Sequence, residues 1–127
     1  MTTFTKVILY TDIDGRAKFK DETIPMDEGT SQSQLTKIFS AEGYQIRFSP
    51  VGFQSQFHVT RKPLWIFILS GKMEIGLHDG TTRIFSPGDH FYAADILPEG
   101  VIFDETLHGH WSRQVGEEPL RTLCLRD

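Results

Sequence analysis

Short apolar stretches alternate with polar turn residues roughly every eight to twelve positions, the spacing of a chain folded from short strands. Val7 to Tyr10 reads as a strand stopped by Asp12-Ile13-Asp14-Gly15. That stop has calcium-loop residues at its start but lacks the later ligands, above all the terminal Glu, so it reads as a turn. Ala17 to Glu22 alternates apolar and polar. Pro25 to Gln34 is polar and predicts a loop. Leu35 to Phe39 and Tyr44 to Phe48 predict two strands; Tyr44, Ile46 and Phe48 share one face, Gln45 and Arg47 the other. Leu64 to Leu69 has no polar residue on either face, which predicts a strand covered on both sides. Lys72 to Leu77 alternates, with Met73, Ile75 and Leu77 inward, and His78-Asp79-Gly80 is a hairpin turn. Arg83 to Phe85 and His90 to Ala94 flank the turn Ser86-Pro87-Gly88-Asp89. Asp95 to Thr106, with Asp95, Glu99, Asp104 and Glu105, reads as a loop across one mouth of the fold. Leu107 to Arg113 and Leu120 to Arg126 are the last strands, either side of the turn at Gly116 to Pro119. No helical stripe competes with this pattern, so an antiparallel sandwich or barrel is expected.

The 127 residues suit one domain with one core. A net charge of -4 with signs interspersed gives no basic stripe for nucleic acid. The run Leu64 to Leu69 is too short to span a bilayer, and Met1 to Lys6 lacks the apolar core of a signal peptide. Cys124, the only cysteine, sits in a strand-like run and reads as an inert buried thiol. A cytoplasmic protein is the expectation.

Candidate chemistry concentrates in the histidines. His108 and His110 stand two apart, which on a strand points both the same way. His58 lies in Gly52-Phe53-Gln54-Ser55-Gln56-Phe57-His58-Val59-Thr60, ahead of the apolar strand that closes at Gly71. This frame resembles the first motif of the cupin superfamily. Ser86-Pro87-Gly88-Asp89 is similar to the Pro-Gly-Asp turn of that family. His110-Trp111-Ser112-Arg113-Gln114 followed by Gly116-Glu117-Glu118-Pro119-Leu120 is similar to its closing motif, with Gln114 where Asn usually stands. The likeness runs from Gly52 to Arg126. It implies an all-β, antiparallel double-stranded β-helix over residues 1–127, with 1–50 as N-terminal strands and 52–126 carrying the motifs.

Aligned on that family, His58 and His110 fall on two of its metal ligands; Thr60 and Leu64 replace a His and a Glu. The approach to the second-motif His is replaced by the longer Asp95 to Thr106 segment. A rebuilt site of His58, His108 and His110 would suit a divalent transition metal (Zn, Fe, Ni or Cu). Asp95 or Glu99 would add a ligand or a general base. The alternative is that these histidines are hydrogen-bonded core or rim residues. His90 reads as structural and His78 as solvated. The resemblance to metal-free sugar epimerases of cupin type makes Tyr92 a candidate acid opposite His58. Thr60, Trp65 and Phe91 are candidate ligand-binding residues, with Phe67 and Phe103 as further aromatics, against the reading that such aromatics fill core or subunit interface. Arg47, Arg61 and Arg83 read as solvated; an inward-facing Arg would point to an anionic ligand. Three functions follow: metal-assisted isomerase, lyase or oxygenase chemistry on a small organic metabolite; a metal-free binding or sensing protein with a greasy pocket; or a dimerisation module, with the early strands Val7 to Phe19 extending a partner's sheet. A homodimer with a small-molecule ligand, no nucleic acid and no membrane is the expected set of partners.

Overall fold

The computed structural model describes every residue from Met1 to Asp127. It is all-β, with no helix: β1 Thr3–Thr11, β2 Ala17–Pro25, β3 Glu28–Thr30, β4 Ser33–Leu35, β5 Gly43–Ser49, β6 Leu64–Ser70, β7 Lys72–Gly76, β8 Thr82–Phe85, β9 His90–Ala94, β10 Trp111–Val115 and β11 Leu120–Arg126. There is accordingly no helix long and apolar enough to cross a membrane. Six strands form one sheet in the order β2-β1-β9-β6-β11-β5; three form a second, β10-β7-β8; β3 and β4 make a separate hairpin. The two larger sheets do not join into a closed barrel. One pairing departs from the antiparallel expectation: β1 runs parallel to β9, with Ile8 opposite Tyr92. The two strands are far apart in sequence, so no hairpin dictates their direction.

Alternation sorts each strand into two faces. Leu64, Ile66 and Ile68 of β6, Phe91 and Ala93 of β9, Leu9 of β1, and Leu120 and Cys124 of β11 point inward. Met73, Ile75 and Leu77 from β7 and its end meet them, with Phe85 of β8. Cys124 is a buried free thiol. Burying a side chain such as Ile75 or Phe91, each about 1% exposed, contributes on the order of 1.5–3 kcal/mol.

Three stretches fold differently from their sequence pattern. Pro25 to Gln34 is not a plain loop but carries the β3–β4 hairpin. Leu35 ends β4, and Thr36 to Phe39 forms no strand; Phe39 instead lies against Trp65, ring centroids 5.9 Å apart. Leu107 to Arg113 becomes strand only at Trp111. Before that, the N–H groups of Leu107 and His108 both donate to Asp104 O, and the Asp104 carboxylate accepts from Thr106 N–H and Oγ1. This side chain–backbone turn outcompetes the ladder. The cover expected on both sides of β6 is also incomplete, since Leu69 on the outer face is 49% exposed.

Gln114 clasps the end of the fold. Its Oε1 accepts from Gly52 N–H at 2.9 Å, and its Nε2 donates to Gly116 O and Glu118 O, both at 2.7 Å. The buried amide ties the start of the His58 segment to the last turn.

Candidate functional site

The site lies between the two sheets, at the end where residues 53–62 cross the opening. That segment forms no continuous strand. It is pinned by isolated bridges, Gln54 to Arg113 of β10 and His58 to His110 just before that strand. Ser55 adds to the pinning: its N–H donates to Ser112 O at 2.8 Å, and its Oγ accepts from Ser112 N–H at 2.9 Å. In the second bridge His58 N–H donates to His110 O at 2.9 Å and His110 N–H to His58 O at 3.0 Å. A reciprocally bonded antiparallel pair puts both side chains on one side of the sheet, and the two imidazoles stand 4.6 Å apart between ring centroids.

Both rings are held by their Nδ1 edge. His110, 5% exposed, donates from Nδ1 to Asp95 Oδ2 at 2.7 Å. Asp95 is fully buried, and its other oxygen accepts from Thr11 Oγ1 at 2.6 Å. His58 Nδ1 lies 2.9 Å from Gln56 O. A carbonyl oxygen only accepts, so His58 carries its proton on Nδ1, and the carboxylate assigns His110 the same tautomer. Each ring is left with an Nε2 lone pair and no protein partner for it. The two rings line a cavity of about 310 Å³ with Thr60, Leu64, Ile66, Met73, Ile75, Phe91, Ala93 and Ser112.

His108 does not join them. Gly109 sits at φ 87° and turns the chain, so strand alternation does not apply across it. His108 Nδ1 accepts from Asp104 N–H at 3.0 Å, and its ring packs against Gly15. The three-imidazole set is therefore not formed. Asp95 is neither a mouth residue nor free to ligate, because both its oxygens are bonded behind His110. Glu99 is exposed in a turn. No group of three or more His, Cys, Asp or Glu side chains is positioned to hold a metal. Two imidazoles fall short of the three protein ligands a catalytic zinc uses, so the residues present do not fit the expected ion.

Of the other candidates, Thr60 and Phe91 line the cavity. Trp65 and Tyr92 do not, because each is one residue out of phase with the inward positions of its strand. Tyr92 bonds the Asp127 carboxylate. Burial, and then that bond, push its pKa up, which removes it from acid duty opposite His58. Trp65 lies on the outer face among Phe4, Phe67, His90 and Tyr92. His90 accepts from Val7 N–H and stacks on Phe4, a structural role. His78 is not solvated: it stacks on Phe57 with centroids 3.8 Å apart and donates from Nε2 to His108 O. The pairing of Asp95 with His110 has no sequence signal, since fifteen positions of irregular chain separate them.

His58 keeps an exposed edge, yet desolvation by its surroundings holds its pKa below the ordinary 6.5, outweighing the Gln56 carbonyl; the neighbouring His110 lowers it further. His90 is lowered in the same direction by burial. Each is neutral in the fold and takes up its proton more readily when unfolded. Their stabilising contribution is complete above pH 6.5 and is lost as pH falls from there toward the folded values. The thermal midpoint is expected to drop between about pH 7 and pH 5, less steeply in His58→Gln. A His58 ring titrating at or above 6.5 by NMR would contradict this.

A scan against family models finds no match to this chain, and a search of curated proteins finds none. Among solved structures, the chain is similar to the Schizosaccharomyces pombe Cnp3 cupin domain. Identity is 14%, the alignment covers 98% of this chain and 84% of that one, and the TM-score is 0.46. A likeness of that score decides neither family nor activity.

Proposed function

We propose that this chain is a cupin-like protein, an opened double-stranded β-helix, whose cavity performs metal-free acid–base chemistry on a small organic molecule. The buried Asp95–His110 pair carries the reading. A carboxylate sealed from water is retained where it orients a ring and stabilises the imidazolium that forms on it. His110 Nε2 takes a proton from a substrate carbon or hydroxyl, Nδ1 stays bonded to Asp95, and the proton returns from Nε2 to a neighbouring atom. That is isomerase- or lyase-type chemistry. His58, kept neutral beside it, accepts a hydrogen bond at Nε2 and orients the substrate. Apolar walls from Ile66, Ile75 and Phe91 limit water at the reacting atom.

The test is hydrogen–deuterium exchange in D2O. Small ketones, keto acids and sugar phosphates are incubated with the protein and followed by proton NMR. Exchange at a carbon next to a carbonyl is expected for at least one class, is lost in His110→Gln and persists in Glu99→Gln. Exchange that survives His110→Gln would sink the proposal. The second reading is binding without turnover. It is favoured by the mostly apolar wall and by Tyr92 lying outside the cavity, and is supported if ligands bind but none exchanges.

We also propose that the chain pairs with a second copy. Tyr44, Ile46, Phe48 and Leu69 on the outer face of the large sheet are between 49% and 69% exposed, forming an apolar surface larger than scattered single residues. Of the early strands Val7 to Phe19, β1 is flanked by β2 and β9 while β2 forms one edge of the sheet; this apolar face favours face-to-face packing over extension at the β2 edge, and a two-fold axis makes it self-complementary. Light scattering should give twice the chain mass, and Ile46→Lys should return the monomer. A wild-type monomer at micromolar concentration would rule the pairing out.

A further inference from the structure

We infer that the ligand of this cavity is a small organic oxyanion, a carboxylate or phosphate ester with an apolar body. This rests on the reading of the cavity as the ligand site but not on proton transfer by His110. Four cations line the opening: Arg47, Arg61, Lys62 and Arg126. No Asp or Glu lines it, although the chain has 17 acids against 13 Lys and Arg. None of the four makes a salt bridge within the protein; the Lys and Arg ion pairs use Lys18 and Arg113 instead. Arg126 spends one nitrogen on Gln45 Oε1 at 3.2 Å.

The fold places these charges deliberately. Arg47 of β5 pairs with Thr122 of β11, an inward position, and Arg126 pairs with Leu64 of β6, also inward. Two arginines thus point from the inner face of the sheet into the open end. Arg47 acts on the site electrostatically, since its charge is among those lowering the His58 pKa. Arg61 and Lys62 come from the end of the crossing segment, just ahead of β6. Like charges around one low-dielectric opening repel each other and focus a positive field into it, which a bound anion relieves. A single guanidinium also fits the two oxygens of a carboxylate or phosphate.

Below the charged mouth the walls are Leu64, Ile66, Met73, Ile75 and Phe91. A volume of about 310 Å³ is near the lower bound for ligand pockets and holds about ten waters' worth of liquid at ~30 Å³ each. The occupant is therefore of small-metabolite size: anionic head at the mouth lined by Arg47, Arg61, Lys62 and Arg126, apolar body on β6 and β9, far end at His58 and His110.

Calorimetry and amide NMR with four probes of matched body test this: hexanoate, hexyl phosphate, 1-hexanol and hexylammonium. At least one anion is expected to bind about tenfold or more tighter than 1-hexanol, the margin of charge-assisted hydrogen bonds, and hexylammonium weakest. Hexanoate against hexyl phosphate separates carboxylate from phosphate recognition. The double variant Arg47→Gln, Arg126→Gln has both changes at exposed positions, so it should melt like the wild type while losing the preference. High salt should weaken the anions and leave 1-hexanol unchanged. Equal binding of 1-hexanol, retained preference in the double variant, or no binding by any probe overturns the inference. His110→Gln separates the two readings, because it should abolish exchange but keep anion binding.

Discussion

Replacing Asp95 by alanine is expected to cost about 2–4 kcal/mol of folding stability, the scale for losing two hydrogen bonds and leaving a buried donor unpaired. The carboxylate is fully buried, and both of its oxygens are used, one by Thr11 Oγ1 and one by His110 Nδ1. Truncation leaves the buried His110 Nδ1–H and the half-buried Thr11 hydroxyl without their acceptor. Asp95→Asn separates structure from chemistry. Its amide still fills the volume and still bonds Thr11, so the stability loss should be clearly smaller than for alanine. Whichever way the amide turns, the negative charge behind His110 is gone, and an imidazolium forming there has no counter-charge. Proton exchange should fall roughly a thousandfold or more, on the scale seen for the Asp to Asn change in a serine protease triad. Chemical denaturation and the D2O assay read the two effects apart. An alanine variant as stable as the wild type, or an asparagine variant that exchanges normally, would refute the role given to Asp95.

Gly109→Ala should be as damaging, although it removes no functional group. Gly109 holds φ 87°, a conformation that costs other residues about 1–2 kcal/mol. An added Cβ would lie 2.5 Å from His58 O and 2.9 Å from His58 C. Those atoms belong to the bridge that positions both imidazoles, and backbone cannot step aside as a flexible side chain does. Overpacking of this kind adds about 1–3 kcal/mol, so a total near 2–5 kcal/mol is expected. In crystals or by NMR the two rings should separate. Gly88→Ala provides the comparison: it has a similar φ of 93°, but nothing lies within 4 Å of its added Cβ. It should show the backbone cost alone. Equal losses in the two variants would mean that the contact with His58 is unimportant.

Strand positions were legible wherever alternation ran uninterrupted. Met73, Ile75 and Leu77 are all buried as their pattern requires, and Arg47 shares the cavity side of β5 away from Tyr44, Ile46 and Phe48. Legibility failed where a local hydrogen bond beat the pattern. Asp104 bends Leu107 and His108 into a turn, and Gly109 reverses the side on which the next residue points. His108 and His110 therefore part company despite their spacing. Trp65 and Tyr92 were misplaced for another reason: they are one register step from Leu64, Ile66, Phe91 and Ala93, and an all-apolar run such as β6 carries no mark of which phase faces in.

Sequence alone thus determined that the chain is all-β, where most strands begin and end, and that His58 and His110 are the histidines to watch. The strands follow from side-chain period and turn chemistry, which act over a few neighbouring residues; the two histidines follow from the resemblance to the cupin motifs. Tertiary structure alone decided that Asp95 stands behind His110, that His108 is elsewhere, and that Arg47 and Arg126 converge from different strands on one opening. Such juxtapositions depend on sheet order, on a parallel pairing and on irregular segments. Their energies come from burial and from long-range hydrogen bonds, to which no local pattern in the chain corresponds.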